Sequence, residues 1–422
     1  MITVEEALEK ILSTVHVLEA EGKPVLSCLG QVLDEDIAAG FDIPPHDNSA
    51  MDGYAVISED TAGASEALPA ILKVIGEIPA GQVSKLSVTK GTAIRIMTGA
   101  FIPAGADAVV RFEETDEASR KNGTFNPGEI GILKPAEPWQ NIRQRGEDIL
   151  AGQTVVQKGT LLRPAEIGIL ASVGHSKAKV IRRPVVAVLP TGDELCEIEQ
   201  PLTPGKIYDS NSYTIAANIV NAGGIPRILK IARDNKEALN ASIDEAMDTD
   251  MLITSGGVSM GDYDVVKDIL AQRGQINFWT VCMKPGKPLA FGVISKTPAG
   301  QAGNLPHLGL PGNPVSSMIT FELFGRPAIL KMLGRKDEGR ATITAILNQD
   351  IPNIDGRRIY ARVHVVKEGD NWRAFLTGAQ GSGILTSMSA ANGLAIVPEN
   401  CAVAKAGSRI KVRLLENVAV TP

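Results

Sequence analysis

Two lysines, Lys284 and Lys287, stand three residues apart between prolines in the run M-K-P-G-K-P. Proline fixes the backbone angle φ, so this framing holds two cations on a stiff loop, an arrangement suited to binding phosphate. Lysines on a surface loop more often only interact with water, and that interpretation stays open for a charge pair taken by itself. We predict that both side chains bind a ligand phosphate.

Two glycine-containing loops are further candidates for anion binding. The run S-G-G-V-S-M-G-D-Y-D at residues 255–264 follows an apolar strand and precedes a helix. Adjacent glycines let backbone N–H groups turn toward an anion, and a helix N-terminus favours negative charge. The run L-P-G-N-P-V-S-S at residues 310–317 also ends a strand and starts a helix, with proline in the first turn. A tight turn and an ordinary capped helix start are the alternatives. The candidate substrate-binding residues are Ser255, Gly256, Gly257, Ser259, Pro311, Gly312, Asn313 and Pro314.

Carboxylates occur in another loop of the same region of the sequence. The run P-T-G-D-E-L at residues 190–195 follows the first apolar strand of the same region. Mg²⁺ is commonly held by one or two carboxylates together with substrate phosphates and water, so phosphate loops beside carboxylates indicate a magnesium site. Glu194 and Asp264 are the candidate metal ligands and catalytic residues, whereas Asp193 and Asp262 are alternatively helix caps.

Three earlier segments carry polar residues in dense runs. They are P-H-D-N-S-A-M-D-G-Y-A with Asp52, R-I-M-T-G-A with Thr98, and R-G-E-D-I with Asp148. Asp52 could accept a hydrogen bond from a ligand or hold a metal ion. Taken singly, each of these segments is more often a turn than a site.

The elements that must position these residues follow from hydrophobic periodicity. Apolar residues from Val4 to Leu18 recur at helical spacing, which predicts a first helix ended by Gly22 and Pro24. Short apolar runs separated by turn residues indicate a β-rich module up to about Gly152. Strands and helices then alternate over residues 184–339, with further short strands near Phe278 and Leu289, which predicts a parallel α/β sheet. Ligands of such sheets bind beyond the carboxyl ends of the strands. Alternation over residues 358–376 predicts a hairpin in a C-terminal β domain or barrel.

Composition limits the class of protein. A chain of 422 residues with 44% hydrophobic and 21% charged residues can form two to four packed domains. Its net charge of −6 argues against general attraction to nucleic acid or to an anionic membrane. The cysteines Cys28, Cys196, Cys282 and Cys401 are scattered singly, which argues against a disulfide framework or a structural zinc site. With no basic, apolar leader and no apolar run of membrane-spanning length, we expect a cytoplasmic protein.

Taken together and in order, the motifs resemble those of molybdopterin molybdenumtransferase, the MoeA family, and of the gephyrin E domain. The resemblance covers nearly the whole chain and is weakest in the first helix and after Gly339. It implies four domains: a helical linking domain at 1–38 and 153–183, a β-rich domain at 39–152, a molybdopterin-binding α/β domain at 184–339, and a C-terminal β barrel at 340–422. The first helix alternatively packs on the α/β domain.

The resemblance also implies an activity, namely insertion of molybdate into adenylylated molybdopterin with release of AMP, using Mg²⁺, by an elongated homodimer. Partners would be a molybdopterin adenylyltransferase and downstream cofactor enzymes. By motif position the functional residues would be Asp52, Thr98, Asp148, Glu194, Asp264, Lys284, Lys287, Pro311 and Pro314. Thr280 stands where some relatives have a lysine.

Two other functions compete with this one. An enzyme that makes adenylylated pterin from ATP uses a similar sheet, but that family lacks long β-rich and barrel domains. A gephyrin-like scaffold would bind receptor peptides, but the trimerising domain and linker of such scaffolds do not occur in this sequence. The sequence does not distinguish molybdate from tungstate.

Overall fold

The computed structural model describes residues 1–117, 128–233, 235–256, 265–295, 304–336 and 339–415. The α-helices in these ranges are α1 (Val4–Thr14), α2 (Pro164–Ser172), α3 (Ser210–Ala222), α4 (Lys236–Glu245), α5 (Val265–Arg273), α6 (Pro314–Thr320), α7 (Arg326–Met332) and α8 (Leu385–Ser389). One π-helical turn, Phe321–Gly325, joins α6 to α7. None of the helices in this part of the chain is long and apolar enough to cross a lipid bilayer.

The strands fall into three stretches of the chain. The first stretch has β1 (Ala20–Pro24), β2 (Ile37–Ala38), β3 (Asn48–Ser49), β4 (Gly53–Val56), β5 (Ala70–Ile78), β6 (Thr92–Ile96), β7 (Ala108–Arg111), β8 (Glu129–Ile132), β9 (Ile142–Arg143) and β10 (Thr154–Val156). The second has β11 (Lys177–Ile181), β12 (Val185–Pro190), β13 (Leu195–Cys196), β14 (Ile207–Tyr208), β15 (Ile225–Ile228), β16 (Met251–Ser255), β17 (Gly274–Thr280), β18 (Met283–Lys284), β19 (Pro288–Ser295) and β20 (Asn304–Leu310). The third has β21 (Thr342–Leu347), β22 (Ile351–Pro352), β23 (Arg358–Glu368), β24 (Asn371–Leu376), β25 (Gly393–Val397), β26 (Val403–Ala404) and β27 (Arg409–Leu414).

The chain forms two compact units. The larger unit contains Met1–Asp34, Gly159–Arg163 and Lys177–Pro422, and the smaller unit contains Glu35–Lys158 and Pro164–Ser176. The domain boundaries expected from the sequence are finer than this division and stay a prediction.

A six-stranded sheet in the order β15-β12-β16-β20-β19-β17 forms the centre of the larger unit. The first four strands are parallel, and β19 and β17 continue the sheet as antiparallel strands. Helices α1, α3, α6 and α7 pack on one face and α4 and α5 on the other. With helices on both faces, the strands are buried on both sides, which explains their continuous apolar runs. The α/β fold expected from the sequence is confirmed.

The first helix is shorter than its sequence pattern predicts. Thr3 and Glu6 form a reciprocal capping box at its start, and Val4, Ala7 and Ile11 lie in the core of the α/β sheet. The helix ends at Thr14 rather than near Gly22, because residues 20–24 form strand β1, which pairs with β11. The segment after the helix is held by Leu18 N–H, which donates to Met332 O at 2.9 Å.

The C-terminal region forms a closed barrel of five strands. Strands β23, β24, β21, β27 and β25 are paired in this order, and β25 pairs back with β23. Closure leaves no edge in this ring of strands. The predicted hairpin is β23–β24, and the predicted barrel is confirmed.

The smaller unit is built on the five-stranded sheet β7-β4-β6-β5-β8. Gly53 begins β4 where a Cβ atom would lie 1.9 Å from Val110 O, so this close pairing of β4 with β7 requires glycine. The sheet is β-rich, as the turn-punctuated sequence predicts.

Candidate functional site

Asp52 and Thr98, predicted from separate motifs, are in contact in the smaller unit. Asp52 Oδ1 accepts hydrogen bonds from the backbone N–H and from the hydroxyl of Thr98, both at 2.7 Å. These two donors lower the pKa of Asp52, the backbone N–H being the larger cause. The carboxylate is therefore held ionised, and its second oxygen, Oδ2, has no hydrogen-bond partner among the described residues and can accept from a ligand donor.

Backbone hydrogen bonds hold the two motifs of this pair together. Ser49 N–H donates to Ala100 O at 2.9 Å, and Gly99 N–H donates to Ser49 O at 2.8 Å. The short strands β3 and β9 pair next to this junction. The Asp52–Thr98 contact is thus built into the fold of the smaller unit.

Asp148 lies on a loop that contacts the segment preceding Asp52 in the chain. Its N–H donates to Ile43 O at 3.1 Å, and the nearby Arg145 N–H donates to Asp47 Oδ1 at 2.7 Å. The side chain of Asp148 is exposed. The structure places Asp148 beside the segment that leads to Asp52, without a direct contact to that pair.

In the larger unit, Ser255 ends the buried strand β16 and is itself buried. Its carbonyl accepts from Thr191 N–H at 3.2 Å and from the Thr191 hydroxyl at 3.3 Å. The next residue, Gly256, has φ +94° and donates its N–H to Leu310 O at 3.1 Å. The loops after β12, β16 and β20 are therefore joined at the carboxyl ends of neighbouring strands, where a ligand of such a sheet binds.

Asn211, near the start of α3, also joins these loops and was not predicted. Its Nδ2 donates to Ser255 Oγ at 2.9 Å and to Gly312 O at 2.8 Å. The signal in the sequence was weak, since the run Y-D-S-N-S predicts only a helix start. The predicted residues Gly257, Ser259 and Asp264 lie outside the described residues.

The predicted helix start at Pro314 is present, with Asn313 as N-cap and Pro314 as the first helical residue. Its amides are less available for an anion than the sequence suggests. Val315 N–H donates to Ser382 O, in a loop of the barrel region, at 3.0 Å. Gly312 and Asn313 are exposed, whereas Pro311 is buried.

The two lysines differ in their surroundings. Lys284 Nζ forms an ion pair with Asp355 Oδ2 at 2.9 Å, and Asp355 also pairs with Arg357 at 2.5 Å. Both cations lower the pKa of Asp355, the hydrogen bond from Lys284 being the larger cause. Lys287 is exposed and has no side-chain partner within the described ranges. Gly286 between them has φ +97°, and a Cβ there would lie 2.6 Å from Thr320 Oγ1, so the turn requires glycine.

Glu194 lies on an exposed loop after β12. Its carboxylate folds over Gly192, where a Cβ would lie 2.5 Å from Glu194 Oε2. A cavity of about 710 Å³ adjoins this loop, and Gly192, Asp193, Lys206 and Arg233 are among its lining residues. Lys206 and Arg233 are two cationic side chains at this cavity that the sequence motifs did not single out. Among the residues for which the structure gives positions, no group of three or more metal-ligating side chains is assembled.

Three family models match the chain in succession. The MoeA N-terminal region, domains I and II, matches residues 2–174; the probable molybdopterin-binding domain matches residues 187–331; and the MoeA C-terminal region, domain IV, matches residues 344–415. A relative from Mycobacterium tuberculosis named molybdopterin molybdenumtransferase 2 is 38% identical over 396 residues, which are 92% of this chain and 93% of the relative.

The chain belongs to the MoeA family.

Other members and solved structures agree with this assignment. A molybdopterin molybdenumtransferase of Staphylococcus epidermidis is 37% identical over 99% of this chain and 96% of the relative. The crystal structure of a molybdopterin biosynthesis MoeA protein from Pyrococcus horikoshii has a TM-score of 0.78 and 36% identity, covering 99% of both chains. The resemblance inferred from the ordered motifs is confirmed, as are the multidomain fold and the transferase class of the relatives.

The barrel of this MoeA-family chain contains a buried arginine whose hydrogen bonds the sequence did not predict. Arg362 is 1% exposed and donates to Ser387 Oγ at 3.0 Å and to Gly381 O at 2.9 Å. Burial without a carboxylate partner in the described ranges lowers its pKa. Arg362 thereby fixes the loop whose Ser382 carbonyl caps helix α6, which begins at the predicted substrate loop.

Proposed function

We propose that this chain inserts molybdate into adenylylated molybdopterin and releases AMP and water, the last metal step of molybdenum cofactor assembly. The matches to MoeA family models along the chain and the names of its relatives support this activity. One geometric observation carries it: the loops after β12, β16 and β20 converge around Ser255 and Gly312. Backbone-lined loops at this edge of the sheet suit a phosphate-bearing pterin.

In this proposal the lysines bind the phosphates of the ligand. Lys287 is exposed and has no described partner, and Lys284 is paired with an aspartate that keeps Arg357 as a second partner. Loss of AMP from the anhydride leaves negative charge on phosphate oxygens, which positioned cations stabilise. Ser255, Gly256, Pro311, Gly312, Asn313 and Pro314 would shape the walls of the site, with Gly257 and Ser259 on the loop outside the described residues.

Magnesium is proposed for the same site. Glu194 offers hard carboxylate oxygens on an exposed loop beside a cavity that carries cationic side chains, and this donor chemistry fits Mg²⁺. Glu194 and Asp264 would hold the ion, which when bound neutralises charge on the phosphoanhydride.

We further propose that the protein works as a homodimer with shared sites. Asp52, Thr98 and Asp148 belong to the smaller compact unit, whereas the phosphate-binding candidates belong to the larger unit. A second copy of the chain would supply the Asp52 group to each site. A cytoplasmic location, an adenylyltransferase that delivers the substrate, and downstream enzymes that receive the cofactor complete the proposal.

One assay tests the activity and its competitors. Purified protein is incubated with adenylylated molybdopterin and Mg²⁺, with molybdate, with tungstate or with neither, and AMP is measured. AMP release only when an oxyanion is present supports the proposal, and the two oxyanion arms give the metal preference. Release of AMP at the same rate without an oxyanion, or no release in any arm, contradicts it; formation of adenylylated pterin from ATP would support the adenylylating alternative.

A further inference from the structure

Asn211 connects two of the loops that form the proposed substrate site. It lies near the start of α3, and its Nδ2 uses both of its hydrogens, one toward Ser255 Oγ and one toward Gly312 O. Ser255 ends strand β16 and Gly312 follows strand β20, so this one amide fixes the separation of the loops at the ends of two strands. No motif-based argument assigns a role to Asn211.

The orientation of the Asn211 amide is set by chemistry. Gly312 O is a carbonyl and can only accept a hydrogen bond, so the group that faces it must be the NH₂ of the amide rather than its oxygen. The position of Oδ1 follows from this. It points away from Gly312 O and is one of the buried polar atoms that have no hydrogen-bond partner in the described part of the chain.

A buried carbonyl oxygen without a partner is unusual, because nearly all buried polar side-chain atoms in proteins are hydrogen-bonded. The surroundings of Asn211 are made largely of backbone. Gly312 and Gly256 are in van der Waals contact, since a Cβ on Gly312 would lie 3.8 Å from Gly256 Cα. The amide of Asn211 bonds to the loops that carry these two glycines, at the edge of the sheet where a ligand binds, so its unpaired oxygen belongs to the candidate ligand site rather than to a packed core.

We propose that Asn211 contacts the substrate and that its Oδ1 accepts a hydrogen bond from an N–H group of the pterin ring. The inference rests on the proposed function. Ionised phosphate, molybdate and the dithiolate sulfurs are acceptors and cannot donate to Oδ1, whereas the ring and amino N–H groups of a pterin are donors, as are the amino and hydroxyl groups of adenosine. Asn211 lies within residues 187–331, which match the probable molybdopterin-binding domain, and this placement favours the pterin end of the substrate for Asn211 and leaves the phosphate end to the lysines.

Calorimetry with the intact protein under anaerobic conditions tests this division. The probes are molybdopterin, which carries the pterin without the nucleotide, and AMP, which carries the nucleotide without the pterin. Asn211→Ala is expected to weaken molybdopterin binding about 10- to 30-fold and to leave AMP binding within about twofold. Asn218→Ala is the matched control, since among the described residues the Asn218 amide bonds to Thr214 O within the same helix and to no other group.

A second measurement does not depend on how well the alanine variant folds. In protein labelled with ¹⁵N-asparagine, the Asn211 side-chain signal, assigned by its loss in Asn211→Asp, should shift when molybdopterin is added and stay in place with AMP. The inference would be overturned if a folded Asn211→Ala bound molybdopterin normally or if the binding of both probes were weakened equally. It would also be overturned if the Asn211 side-chain signal did not move at saturation with molybdopterin. Wild-type protein that binds neither probe would instead reject the proposed function.

Discussion

Lys284 illustrates how a residue can be paired in the free protein and still serve a ligand. Its ion pair with Asp355 is partly exposed, with 45% and 29% of the two side chains accessible, and such pairs contribute about 0 to 1 kcal/mol. Hydrogen bonds to a charged phosphate contribute roughly 1.5 to 3 kcal/mol. A phosphate therefore competes successfully for Lys284, and Arg357 remains to balance Asp355.

We predict that Lys284→Ala and Lys287→Ala each weaken binding of adenylylated molybdopterin by roughly 1.5 to 3 kcal/mol, measured by calorimetry. Lys405→Ala is the matched control, because Lys405 forms a similar exposed ion pair with Asp350 at 2.8 Å. Unchanged affinity in both site variants would show that these lysine side chains interact only with water.

The carboxylates are predicted to act after binding. Glu194→Gln and Asp264→Asn keep the shape of the side chain and lose its charge, so we expect near-normal affinity for adenylylated molybdopterin. Molybdate-dependent AMP release in a single turnover should fall at least about a hundredfold, as is common when charge stabilisation is lost. Asp268→Asn, an exposed position on α5, is the control. Near-normal AMP release in both variants would show that these carboxylates only cap their loops.

At the scale of elements, the neighbouring strands β16 and β20 contain a buried polar pair. Thr254 Oγ1 lies 3.1 Å from His307 Nε2, and His307 is 0% exposed. Burial lowers the pKa of His307 to about 3, because a charged imidazolium would lose its hydration. The central strands therefore hold a neutral histidine at physiological pH.

This histidine predicts acid sensitivity of the fold. An unfolded histidine has a pKa of about 6.5, so below that pH the unfolded chain binds a proton that the folded chain does not. The free energy of unfolding should therefore fall as pH falls from about 6.5 toward 3, by about 2 kcal/mol between pH 7 and pH 5 from this residue. Urea denaturation at both pH values should show a smaller decrease for His307→Asn than for wild type, while the exposed His364→Asn should behave as wild type. Equal decreases in all three proteins would contradict the prediction.

Elements set by local signals were predictable from the sequence, and those set by distant partners were not. Helix α3 ends at Ala222 because Gly223 takes a left-handed conformation with φ +98°, a signal visible in the sequence. By contrast, residues 20–24 pair with residues 177–181, which no local periodicity reveals. The site follows the same rule: the glycine loops are visible in the sequence, whereas the Asn211 bridge and the Lys284–Asp355 pair join segments many residues apart.

At the scale of the whole molecule, the shared-site proposal can be tested by mixing variants of the two units. Asp52→Ala and Lys284→Ala should each inactivate the protein, one through the smaller unit and one through the larger. Mixing the two variants should restore about one functional site in each heterodimer, because a two-fold interface places both defects in the same one of its two sites. AMP release is measured before and after subunit exchange, with each variant exchanged against itself as the control. Mixed dimers that form and stay inactive would refute the shared site.

The docking of α1 sets an order of events during synthesis of the chain. Its buried face packs among residues of α7 as well as of β19, and Lys331 Nζ donates to Leu12 O at 2.6 Å, so the helix has its full set of partners only after residue 332 has been made. At 5 to 20 residues per second, a ribosome needs roughly 15 to 60 s to extend the chain from residue 14 to that point. Until then Val4, Ala7 and Ile11 lack some of their native partners, so a nascent chain exposes part of this apolar surface. The residues of α1 are thus made long before they reach their native positions.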